Sequence, residues 1–361
     1  MIQDLPISQQ LRGRIFDELE CSELLSRYIQ DMLDHPDREG SGVLVTGNKG
    51  TGKTAFIENH LSRFELLHPV LIARHYQQHE KIPYYGFKYC ISDYVSKIYN
   101  RFSNSEFQQF SRSLKNHLGE SFPLLLDYIP ELSIITGRPP VSSRSMLTVE
   151  NQLYPLFKRL FEFLADYSGR CVFFFTDDLQ WIDASGINLL RYLLLNLPPG
   201  KMIWIGACRG SLNTSALKQL DEELELNKRR IEIISLNGFS PSEVQKFLEQ
   251  TLGGRCSDDL VDVCYKLTRG NASHLQVLVE SLKGSALIRL QDGEWTCDRH
   301  VVDGRYAGQN TELMLMETMN RLSSDAREVL SIIACMGRFN KRTILDWLDG
   351  DVALMESILK E

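Results

Sequence analysis

Apolar residues recur at helical spacing from Leu19 to Met32, at Leu19, Leu24, Leu25, Tyr28, Ile29 and Met32, and predict an amphipathic helix. Residues 1–14 before it are polar and irregular, and Asp34–Ser41 (DHPDREGS) after it has the proline, glycine and charge of a loop. The pattern then changes to short apolar runs. Val43–Thr46, Pro69–Ala73, Cys171–Thr176, Met202–Ala207 and Ile231–Leu236 each predict a buried strand. Helical patterns lie between them: Thr54–Leu66, then Phe87–Phe102, Glu106–Leu118 and Leu153–Tyr167 within a mostly helical stretch 74–168, and Leu189–Leu195 before the fourth strand. Proline loops interrupt at Pro130 and Pro139-Pro140. Strands alternating with helices predict an α/β fold with a mainly parallel sheet.

Beyond Pro241 the pattern turns helical, with short helices predicted over Ser242–Leu252, Asp258–Leu267 and Leu275–Gly284. Ala286–Cys297 (ALIRLQDGEWTC) sets a D-G turn between two apolar runs and predicts a hairpin. Helices over Met314–Leu322 and Ser324–Cys335 follow. There is no fixed-period repeat and no low-complexity tract.

At 361 residues the chain is long enough for two or three domains. Forty basic against 47 acidic residues leave a net charge of −7, which gives no overall attraction to nucleic acid. The apolar runs are far too short to cross a bilayer, and MIQDLPISQQ lacks the basic-then-apolar pattern of a signal peptide. A cytoplasmic location with no membrane partner is therefore expected. The eight cysteines are scattered singly, without C-x-x-C or zinc-finger spacing, and several in apolar contexts (Cys171, Cys208, Cys335) read as small core residues.

Chemistry concentrates in three places. Gly47–Thr54 (GNKGTGKT) fits G-x-x-x-x-G-K-[ST] and lies between an apolar strand and a helix. Its glycines let the backbone of Gly47, Asn48, Lys49, Gly50, Thr51 and Gly52 wrap phosphates with converging N–H groups, and the cradle continues into Ala55. Lys53 would bring a positive charge to the outer phosphates, and the Thr54 hydroxyl would bind Mg²⁺. The second place is CVFFFTDD, Cys171–Asp178, an apolar strand with two acids at its C-terminal end. There Asp177 would hold Mg²⁺, largely through water, and Asp178 would orient or deprotonate the attacking water. The third is Arg209, directly after strand Met202–Cys208. In a P-loop fold of the additional-strand type this strand lies between the P-loop strand and the acidic one, so Arg209 faces the γ-phosphate as a sensor. The expected ligands are ATP and Mg²⁺, with slow ATP hydrolysis.

With these residues in place the chain resembles the ATPase module of STAND-type, AAA-related regulators, in particular the ATPase region of large multi-domain sensor kinases. The likeness runs over about residues 11–350 through GRIFDELECSELL, IPYYGF (82–87), IPELSIITGRPP (129–140), Asn151-Gln152, DDLQWIDASGINLL (177–190), TRGNASHLQVLVESL (268–282), DGEWTCD (292–298) and the 312–340 segment. It implies that Gly13 and Arg14 enclose the adenine, and that Gly270 and Asn271 approach base or ribose from a helical lid. It also implies that Trp181 and Asp183 brace the acidic strand end. Ala272 stands where such proteins commonly have proline after Gly-Asn. The hairpin residue Trp295 is expected in the core rather than on a ligand.

The resulting expectation is a P-loop ATPase core over 1–240 with its helical insertion at about 74–168, a lid over 241–285, and a hairpin with a partial winged-helix-like region over 286–361. Relatives continue through that region into repeats, so a shortened form without its output domain is expected. The resemblance implies a signalling switch, partnered by an output domain of the same parent chain or by another protein, with homo-oligomerisation open. An origin-recognition-like DNA-dependent ATPase is the alternative. Its basic clusters, Lys228-Arg229-Arg230 and Lys341-Arg342, are short, so a nucleic-acid partner is not expected. A small-molecule kinase is the third reading.

Overall fold

A strand that is apolar at every position must be covered on both faces, and this requirement organises the first half of the chain. The computed structural model describes residues 20–36, 40–135, 150–210, 215–227, 229–306, 316, 319–320 and 322–336. They fall into two units, Met1–Asn237 and Gly238–Glu361. In chain order the first contains α1 (Glu20–Asp34), β1 (Gly40–Gly47), α2 (Lys53–Leu61), β2 (Val70–Arg74), α3 (Tyr85–Arg101), α4 (Asn104–Leu118), α5 (Phe122–Tyr128) and α6 (Glu150–Ser168). It continues with β3 (Val172–Asp177), α7 (Ala184–Asn196), β4 (Met202–Arg209), α8 (Ser215–Leu226) and β5 (Arg230–Ser235).

The five strands form one sheet in the order β2-β3-β4-β1-β5, every pairing parallel. This is the expected α/β fold, with β4 between the P-loop strand and the acidic strand. Every residue of β3 is buried, and its phenylalanines alternate between the two faces. Phe174 packs on Phe87 and Phe161 of the helical insertion, at ring-centroid distances of 5.3 and 5.1 Å, while Phe173 meets Phe64 at 4.7 Å on the other side.

Two differences from the sequence reading are local. β1 starts at Gly40, three residues early, because a bulge between Gly40 and Gly42 lets it pair with Arg230 and Ile231 of β5. α8 fills a stretch for which the pattern indicated nothing. Its buried Leu217, Leu220 and Leu224 are spaced for a helix but are isolated among charged residues.

The second unit contains α9 (Pro241–Leu252), β6 (Arg255–Cys256), α10 (Asp258–Thr268), α11 (Ala272–Gly284), β7 (Ile288–Gln291), β8 (Glu294–Cys297), α12 (Arg299–Tyr306) and α13 (Ser324–Met336). Ser240, Ser257 and Asn271 cap α9, α10 and α11, and Ser240 forms a full capping box with Glu243. The hairpin forms as expected, but β6 joins it to give a three-stranded sheet, β6-β8-β7. The half-buried Trp295 donates its indole N–H to the Leu252 carbonyl at 3.1 Å. The Pro139-Pro140 loop, most of the segment read as Met314–Leu322, and everything after Met336 lie outside the described residues.

Gly270 has a reason within this unit. Its φ is +72, and a Cβ there would lie 2.0 Å from the Phe239 carbonyl oxygen. The Phe239 N–H donates to the Gly270 carbonyl at 2.7 Å, closing the same contact. Gly270→Ala combines a left-handed backbone with a backbone clash and should destabilise the chain by about 2 kcal/mol or more. Urea unfolding of the two proteins, monitored by circular dichroism, checks this.

Candidate nucleotide site

The Gly47–Gly52 turn connects the end of β1 to the start of α2, with Gly50 at φ +83 and Gly52 at φ +92. These left-handed positions fold the chain back sharply and leave the first N–H groups of α2 facing outward. A Cβ on Gly47 would lie 2.4 Å from the Leu236 carbonyl oxygen, so β5's exit accounts for that glycine too. Asn48 accepts from the Thr51 hydroxyl at 3.0 Å, which holds the turn. Lys49 and Asn48 are exposed, and Ala55 lies half-buried in the first turn of α2.

Lys53 is buried, and its ammonium donates to the carbonyls of Gly47 and Asn48 at 2.8 and 2.9 Å. An ammonium has three donors, so one remains for a phosphate. Burial draws this ammonium below its ordinary range, against the pull of Asp178.

Thr54 and Asp177 are 123 positions apart, yet the Thr54 hydroxyl donates to both carboxylate oxygens, at 3.1 and 2.9 Å. Asp177 Oδ1 also accepts the Asp178 N–H at 2.9 Å. Burial, and then the neighbouring charge of Asp178, push the Asp177 carboxyl up to about 6. Asp178 sits just past the strand in the left-handed region, φ 53. Its carboxylate faces the Arg209 guanidinium at 3.4 Å, and Arg209 ends β4 directly opposite Gly47 in register. The loop, both acids and the arginine therefore meet at one end of the sheet.

Sequence reasoning missed three neighbours. Gln180 contacts both Asp178 and the Arg209 backbone. Arg74, opposite Asp177 in register, forms an ion pair with Glu58 of α2. His75 is buried, packs its ring against Gly86, and donates its backbone N–H to the Asp177 carbonyl at 3.2 Å. Only Gln180 lay within a quoted motif; Arg74 and His75 become neighbours through strand pairing alone. Asp183, the brace implied by the resemblance, accepts from the N–H groups of Tyr84 and Gly186 at 3.0 and 2.7 Å, so it ties α3 to α7. Asn271 caps α11 through a bond from the His274 N–H at 3.1 Å. Gly13 and Arg14 lie outside the described residues.

The raised Asp177 carboxyl has a consequence for stability. A group whose pKa is raised on folding stabilises the fold fully below its unfolded value, near 4, and loses that contribution as pH rises through about 6. Above pH 6 the wild type carries a buried charge that Asp177→Asn lacks. Without nucleotide or Mg²⁺, the variant should be the more stable by on the order of 2 kcal/mol at pH 7.5, and the gap should close toward pH 4. Thermal unfolding across that pH range measures it.

A family model for the AAA ATPase domain matches residues 19–205, just over half of the chain. No curated protein sequence matches it significantly. Among solved structures it is similar to Cdc6p from Pyrobaculum aerophilum, at 12% identity and TM-score 0.43, over 77% of this chain and 61% of that one. It therefore spans less than two thirds of that protein. It is also similar to ORC2 from Aeropyrum pernix, at 14% identity and TM-score 0.46, over 95% and 82% of the two chains. For RuvB from Thermotoga maritima the figures are 13% and 0.37, over 91% and 81%. At such values they add nothing to the architecture already described. The family match takes in α1, the phosphate loop, the helical insertion and the acidic strand, and the chain belongs to the AAA ATPase domain family.

Proposed function

We propose that the chain binds MgATP in the Gly47–Thr54 loop and hydrolyses it, and that the nucleotide held there acts as a regulatory switch. One observation carries the reading: the Thr54 hydroxyl and the Asp177 carboxylate meet at 2.9 and 3.1 Å, within electrostatic reach of the Lys53 ammonium. A hydroxyl and a carboxylate are hard oxygen donors that suit Mg²⁺, which keeps several waters and takes one or two protein ligands plus phosphate oxygens. When bound, Mg²⁺ neutralises charge developing on the phosphates. Lys53 would turn its remaining donor to the outer phosphates. Asp178 would orient the attacking water, and Arg209 would exchange its pairing with Asp178 for the γ-phosphate. Enclosure of the adenine by Gly13 and Arg14, and approach of Gly270 and Asn271 from a lid, rest on the resemblance to regulator ATPases.

Two finer readings share this chemistry. The signalling switch of a larger protein rests on the sequence resemblance alone. The origin-recognition-like DNA-dependent ATPase is the second, and the fold neighbours include Cdc6p, ORC2 and a Holliday junction branch migration motor. Those likenesses fall short of an argument, so the choice is experimental. Stimulation of hydrolysis by duplex DNA, with binding that weakens steeply as salt rises, would support the DNA-dependent reading. DNA-independent turnover would leave the switch.

The shared chemistry is tested by calorimetry with MgATP. Lys53→Ala should weaken ATP binding at least roughly tenfold while the fold persists, since a charged hydrogen bond is lost. Asp178→Asn should keep ATP affinity but slow turnover on the order of a hundredfold. Equal affinity in Lys53→Ala and wild type would refute the site.

A further inference from the structure

The β3–β4 ladder ends at Thr176 opposite Gly206. Past that point the two strand exits are joined by side chains. Gln180, on the turn Leu179–Trp181, donates its amide N–H to Asp178 Oδ1, and its amide oxygen accepts the Arg209 backbone N–H at 3.0 Å. The Arg209 Nε lies 3.4 Å from the same Asp178 oxygen. A carboxamide is a neutral group that carries a donor and an acceptor on one planar head, so one residue can satisfy both partners. Its acceptor side holds a backbone N–H, which no substitution of the arginine side chain removes. Its donor side holds a carboxylate on a residue in the left-handed region, φ 53, where the direction of the side chain depends on such outside contacts.

We propose that Gln180 is a positioning residue: its amide holds Asp178 and the Arg209 end of β4 as one unit, so that acid and arginine are presented to the terminal phosphate together. The proposal rests on the ATP-hydrolysis reading above. Without the amide, the one close ion pair left to the Asp178 carboxylate among the described residues is with the Arg209 guanidinium, which the γ-phosphate would draw away. Asp178 would then lose its orientation just when the attacking water needs it.

Gln180→Leu removes both bonds at similar size. Its kcat for ATP should fall on the order of tenfold to a hundredfold, the cost of a displaced catalytic group, with calorimetric ATP affinity and thermal midpoint unchanged. Gln180→Glu keeps the acceptor but sets a second carboxylate against Asp178, and should lose at least as much. In an Asp178→Asn background the loss from Gln180→Leu should shrink, because the part that acts through that acid is already gone. If Gln180→Leu does not fold, Gln180→Asn, too short to reach both partners, carries the same expectations. Wild-type-like kcat in these variants, or an undiminished loss in the Asp178→Asn background, would overturn the role of Gln180 while leaving the ATPase intact. A wild type that binds no ATP would overturn the site reading itself.

Discussion

The contact on which the rest depends is the Thr54 hydroxyl held between the two oxygens of Asp177. It requires α2 to start directly above the sheet, and it requires β3 to end at the same height as β1 with one strand between them. The order β3-β4-β1 supplies that geometry. The register carries it through: Thr46 and Gly47 lie opposite Cys208 and Arg209, and Phe175 and Thr176 opposite Ile205 and Gly206. One polar pairing lies within the sheet next to this level. The Trp204 indole N–H donates to the buried Thr176 hydroxyl at 2.9 Å, so the polar atom next to the acid is satisfied within the sheet.

The cost of the arrangement is charge in a place short of water. Asp177 and Asp178 are adjacent carboxyls, one of them buried, and Lys53 is a buried ammonium that has partly turned to its own loop's carbonyls. Burial disfavours charge on Asp177 and Lys53 alike, and Asp178 adds to the strain on Asp177 while easing that on Lys53. Such opposed environments are common at functional sites, because groups poised away from their ordinary protonation respond strongly to an incoming charge. The supports around the site are neutral or already paired: Gln180 on Asp178, Glu58 on Arg74, and His60, which donates to the Phe56 carbonyl at 2.8 Å and accepts from the Ser22 hydroxyl at 2.9 Å. The last pair ties α1 to α2, so the phosphate loop's helix is held from behind.

The second unit is held by local signals. Capping residues stop three helices from extending backward, and glycine at 270 lets the chain turn against Phe239. The Gly270-Asn271 pair shows how a motif can have a structural basis beside any ligand role: each residue already does a defined job in the turn into α11.

Sequence alone determined whatever is contiguous or periodic. The Gly47–Thr54 loop needs left-handed backbone at fixed spacing, which only its glycines supply cheaply, so it could be read directly. The inner strands were legible because burial demands apolar runs, and β5 because its isoleucines recur although most of the strand is exposed. The three helices over 241–284 were legible because each has an apolar stripe. Weaker patterns failed at α8, where three leucines stand among charges, and at β6, two residues long, whose pairing with β8 no local pattern announces. Tertiary structure decided the rest, because strand order and register set which distant side chains become neighbours. Arg74 meets the acidic strand only through β2–β3 pairing, His75 lies against Gly86 only once α3 has docked, and Gln180 reaches Arg209 only because β4 lies beside β3. Those contacts span from about a dozen to over a hundred residues of chain, beyond the reach of any local pattern.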